Sequence, residues 1–80
     1  MKMPAIKKLV DTYNTTELKA AEEALYAEET LAIEVEGDDE GEQLTHVLAA
    51  IYIQEKMSTE GADYKSALRA YTTRVRECLN

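Results

Sequence analysis

The sequence predicts a mainly α-helical, compact domain of about four helices, with one short extended or β segment between helices 2 and 3. Three observations predict it. Apolar residues recur at helical spacing near both ends, at Ile6, Leu9, Val10 and Tyr13 and again at Tyr64, Ala67, Leu68, Tyr71, Val75 and Leu79. The run LTHVLAAIYI at residues 44–53 is apolar almost all round, as befits a central helix packed on several sides. Between these, Leu31, Ile33 and Val35 alternate with Ala32, Glu34 and Glu36, the period of a strand.

Eighty residues make one domain, 1–80, and a chain of this size buries only about 60 to 65% of the surface its unfolded form exposes. Its core must be efficient or shared with a second copy. Pro4 suits a first helical turn, where its missing N–H has no partner to lose. Asn14 with Glu17 three residues on, or Thr15 or Thr16 as a simple N-cap, can open a second helix, on which Leu18, Ala21 and Leu25 share one side. The rest of that helix is rich in Ala and Glu, high in helix propensity and low in bulk, so it should form an acidic wall or lie close to a neighbour.

A lone strand at residues 31–36 has unpaired backbone edges. Three resolutions are open: pairing with the N-terminal residues, packing as an irregular arm, or pairing with the same segment of another chain. Asp38 or Asp39 can cap the central helix, with Asp39 and Glu42 in capping-box spacing, Gly61 is placed to cap its end, and Asp63 can start the last one.

Charge is segregated. Residues 17–42 hold eleven acids against Lys19 alone, net −10, while the remainder sums to +3 within a total of −7. Such two-sidedness favours self-association or oriented docking. The acidic total argues against nucleic acid as a partner, even though Lys65, Arg69 and Arg76 stripe the last helix. No apolar run approaches the roughly 18 residues of a membrane span, and the N-terminus lacks a secretory leader pattern, so a membrane partner is not expected and the cytoplasm is. Cys78, the single cysteine, excludes an internal disulfide.

Four features invite chemistry. Glu36, Asp38 and Glu40 alternate with Gly41 at a sixth position, as in a calcium loop, but position twelve of that frame is Val47, where a bidentate glutamate is required. His46 stands one turn after Glu42, a pairing that a metal-dependent accessory protein or small enzyme would use; the bland alternative is a partly buried histidine bonded to Glu42 or backbone. Cys78 has basic neighbours in Arg74 and Arg76, which lower a thiol pKa, and is otherwise a spectator thiol at the core edge. Five tyrosines replace all Phe and Trp; Tyr13, Tyr64 and Tyr71 fall on apolar stripes, whereas Tyr26 and Tyr52 suit an interface.

The stretches AIEVEGDDEGEQLTHVLAAI and ALRAYTTRVR carry a resemblance, over the whole chain, to a small family of uncharacterised bacterial domains. The resemblance supplies no catalytic or binding residues. It implies, at most, a thiol-redox setting, in which the chain would be an adaptor for a thioredoxin- or peroxiredoxin-type system.

The chain is therefore expected to be a noncatalytic acidic interaction module, with a homodimer as one form, without cofactor, metal or catalytic residues. Its expected interaction surface is Leu31, Ile33, Glu34, Val35, Glu36, Asp38 and Asp39 with Tyr26 and Tyr52. The expected partner is a protein with a basic surface or a second copy.

Overall fold

The third helix is the axis of the molecule. In the computed structural model, which describes the backbone of residues 2–79 and the side chains of residues 2–77, α1 (Met3–Thr12), α2 (Thr15–Tyr26) and α4 (Tyr64–Leu79) each pack on α3 (Glu40–Glu60). The almost wholly apolar face count of residues 44–53 has this consequence: Val47, Ala49, Ala50, Ile51 and Ile53 are all buried, on several sides of one helix.

Two clusters make up the core. Leu9, Leu18, Ala21, Leu25, Val35, Val47, Ala50 and Ile51 join α1 and α2 to α3. Ile6, Ala49, Ile53 and Ala67 join α1 and α4 to it, with Tyr64, Leu68 and Tyr71 half-buried at the margin. Each large aliphatic side chain taken fully out of water contributes roughly 1.5–3 kcal/mol before entropy is counted. Among its described side chains α4 buries only Ala67 completely.

The caps follow the sequence closely. At α2 both capping-box bonds form: Asn14 Oδ1 accepts the Glu17 N–H at 2.8 Å, and Glu17 Oε1 accepts the Asn14 N–H at 3.0 Å. At α3, Asp39 Oδ1 accepts the Glu42 N–H at 2.7 Å, while the Glu42 carboxylate reaches one residue further back, to the Asp38 N–H at 2.8 Å. Gly61 ends α3 in the left-handed conformation, φ 66°, and Asp63 Oδ1 accepts the Ser66 N–H at the start of α4.

The end of α2 was not legible in this way. Glu28 N–H bonds to Leu25 O at 3.3 Å and Glu29 N–H to Ala24 O at 2.8 Å, the paired bonds of a Schellman ending. The left-handed position of that motif, normally glycine, is Glu28 at φ 58°.

The expected extended or β segment between helices 2 and 3 is not present: no strand occurs among the described residues, and residues 31–36 form an irregular arm. The alternation is real, but it serves packing. Val35 is buried, and Leu31 and Ile33 lie half-buried against the α1–α2–α3 cluster. Side chains take the backbone bonds that a ladder would have supplied. Tyr13 Oη accepts the Glu34 N–H at 3.2 Å, Gln43 Nε2 donates to Val35 O at 2.9 Å, and His46 Nδ1 bonds Glu36 O at 2.7 Å. These bonds satisfy the Glu34 N–H and the Val35 and Glu36 carbonyls within the fold.

Candidate functional site

His46 sits on α3, one turn past the N-terminal acids, with its side chain wholly buried. Its ring bonds at both nitrogens. Nε2 accepts the Lys2 N–H at 2.9 Å, and Nδ1 donates to the Glu36 carbonyl at 2.7 Å, which fits the neutral tautomer carrying its proton on Nδ1. One imidazole thus ties the entry to α1 and the end of the arm to the central helix. As held here, the ring has no nitrogen free for a metal or a proton transfer. Gln54, two turns further along α3, does similar work: it accepts from Thr15 Oγ1 at 2.8 Å and donates to Val10 O at 3.1 Å and Tyr13 O at 2.6 Å.

Glu42 accepts from Asp38 N–H, and that bond holds its carboxyl below the ordinary value. The residues of the calcium-like frame are engaged separately. Glu36 lies 3.9 Å from Lys8, Asp38 lies 3.6 Å from Lys2, and the Glu36 carbonyl is taken by His46. Among the described residues no group of three or more His, Cys, Asp or Glu could hold a metal ion, and no helix is long and apolar enough to cross a membrane. Cys78 falls in the last turn of α4, and its side chain lies outside the described residues.

The structure divides the expected interaction surface into four parts. Leu31, Ile33 and Val35 point their side chains into the fold. Glu34, Glu36, Asp38 and Asp39 stay exposed along the arm, Glu34 and Glu36 both near Lys8 and Asp39 serving as the α3 cap. Tyr26 is 64% exposed at the end of α2, an unusual position for a large aromatic side chain. Close behind it in sequence, Glu28 and Glu29 join Glu40 around a surface hollow of about 350 Å³.

Tyr52 belongs elsewhere. It lines an open groove of about 550 Å³ between α3 and α4, together with Ser66, Arg69, Ala70, Thr73 and Arg74, with Glu77 at the rim. Its ring meets Tyr71 at 5.4 Å between centroids, tilted by 57°. Lys56 Nζ and the Arg74 guanidinium stand 5.7 and 5.8 Å from the Tyr52 centroid, within cation–π range. Burial holds the Tyr71 hydroxyl above its ordinary pKa, and Lys56 is raised by Glu60, whose carboxylate lies 3.1 Å away. Arg69 and Arg74 form no ion pair with any described residue. The groove thus sets one tyrosine ring beside two arginines on a molecule whose net charge is −7.

Sequence reasoning recognised a basic stripe on the last helix but read it as solvated. The groove requires Arg74 and Tyr71 of α4 to face Tyr52 of α3, a juxtaposition set by how two helices cross. The available signal was Tyr52 itself, an aromatic residue marked for an interface inside an otherwise apolar run.

The model of a family of unknown function, DUF6952, matches residues 1–80. No curated protein and no solved structure matches the chain.

Proposed function

We propose, for a chain that belongs to this family of unknown function, a role as a noncatalytic protein–protein interaction module that recognises partners by charge. The observation that carries the reading is the separation of an acidic edge, at the end of α2 and along the arm, from a cationic aromatic groove between α3 and α4. The helices that carry the two surfaces, α2 and α4, both pack on α3. Complementary potentials of this kind speed encounter and select partners and register more than they add raw affinity.

The use made of His46 supports the same reading. The side chain best suited to acid–base work at neutral pH joins two backbone segments. Among the described residues the large apolar side chains left exposed are Met3 and Tyr26, in a surface otherwise rich in charge.

Amide-resolved NMR titration with two probe peptides at low salt tests the proposal. A lysine-rich peptide should shift amides of the α2 end and the arm, and a glutamate-rich peptide should shift those lining the α3–α4 groove. Absence of both responses, or shifts scattered evenly over the fold, would overturn it.

A further inference from the structure

The groove is lined from α3 and α4 alone, and the edge that would complement it stands on α2 and the arm. Resting on the interaction-module reading, we infer that the occupant of the groove is the α2 tip of a second copy of this chain, giving head-to-tail association. The two surfaces match in chemistry and in arrangement. The groove offers the Tyr52 ring, packed against Tyr71, beside Arg69 and Arg74, neither of which forms an ion pair with a described residue; the tip offers an exposed Tyr26 followed closely by Glu28 and Glu29. A tyrosine ring is small enough to enter a groove of about 550 Å³, and tyrosine on tyrosine with arginine alongside gives tilted ring and cation–π contacts.

Glu28 stands in this tip at the left-handed position of the Schellman ending, a backbone that costs a non-glycine residue roughly 1–2 kcal/mol. Here the strained position projects a carboxylate at the tip.

The geometry of association follows from the two surfaces being different. A contact between unlike patches is heterologous, so a pair of copies keeps one free tip and one free groove and the assembly grows into open chains or closes as a ring. The contact is small, in the class of weak, transient interfaces below about 1,200 Å², and its charge makes it sensitive to salt.

Two variants in exposed residues separate the halves: Tyr26→Ser/Glu28→Gln/Glu29→Gln removes the tip, and Arg69→Gln/Arg74→Gln removes the groove. Circular dichroism and urea midpoints establish that both are folded. By size-exclusion chromatography with light scattering at high micromolar concentration and low salt, each variant alone should stay at 9.0 kDa while the wild type runs larger. Each change should lower the association constant at least about tenfold. An equimolar mixture should form a species of twice the chain mass and nothing larger, because only one tip and one groove remain. An inert mixture, variants that associate like the wild type, or a wild type that stays monomeric overturns the inference. A monomeric wild type whose groove still responds to the glutamate-rich peptide removes only self-docking; if neither probe peptide gives its response, the module reading falls with it.

Discussion

His46 on α3 accepts the backbone N–H of Lys2 at 2.9 Å, a bond that spans 44 positions of sequence and closes the fold from its first described residue. The same ring holds the Glu36 carbonyl. Removing the imidazole leaves a donor and an acceptor without a partner where water has little access, which costs about 1–3 kcal/mol for each group, besides a cavity. The substitution His46→Ala should therefore destabilise the domain by about 3–5 kcal/mol, a large part of the total for a chain this short. Hydrogen exchange should become faster at the start of α1 and in the arm before it does in α3. Unchanged stability with altered surface binding would mean that His46 acts in recognition instead.

Gly37 is required by close approach. A Cβ built there would lie 2.8 Å from both the backbone nitrogen and the Cγ of Gln43, at φ 157°. The backbone of α3 cannot yield as a flexible side chain would, so Gly37→Ala should cost about 1–3 kcal/mol, read as a lowered urea midpoint. Gly61, with open space about its Cβ position, should lose only about 1 kcal/mol on the same change, from the left-handed backbone alone. Equal effects at the two glycines would contradict the packing assigned to the arm.

At Glu28 stability and recognition should move in opposite directions. Glu28→Gly relieves the positive φ and should stabilise the fold by about 0.5–1 kcal/mol, while weakening association through the tip. Thermal melts and light scattering on one sample distinguish this from a site that is merely strained. A variant both more stable and equally associated would remove Glu28 from the interface.

Asp63 sets a pH dependence. The Ser66 N–H holds its carboxyl below the ordinary value of 3.8, so the folded state binds its proton less readily than the unfolded state. That contribution is fully present above the unfolded value and is lost as pH falls through the folded one. Asp63→Asn keeps the cap but cannot titrate, so its urea midpoint should fall less steeply than that of the wild type on acidification below about pH 4. Parallel curves would show that the cap contributes nothing through ionisation.

Helices and caps could be read from residues because local chemistry decides them: the Asn14–Glu17 box, the Asp39 cap and Gly61 need only their neighbours. The centrality of α3 was legible from its apolar surroundings. The arm was not, because alternation at Leu31, Ile33 and Val35 records which side chains face inward and is silent on whether the backbone finds a ladder or side-chain partners. Those partners, Tyr13, Gln43 and His46, come from two other elements. The groove was hidden for the same reason, since Tyr52 and Arg74 meet only through the crossing of α3 and α4. The Glu28 ending of α2 gave no sign at all, because a glutamate does not announce a left-handed turn.

That the tip of one copy seats in the groove of the next is tested most directly by sedimentation equilibrium of the wild-type chain at high micromolar concentration, in low salt and in about 0.5 M NaCl. At low salt the average mass should exceed 9.0 kDa and rise with concentration, and at high salt it should return to 9.0 kDa. A mass of 9.0 kDa at every concentration in low salt would contradict it.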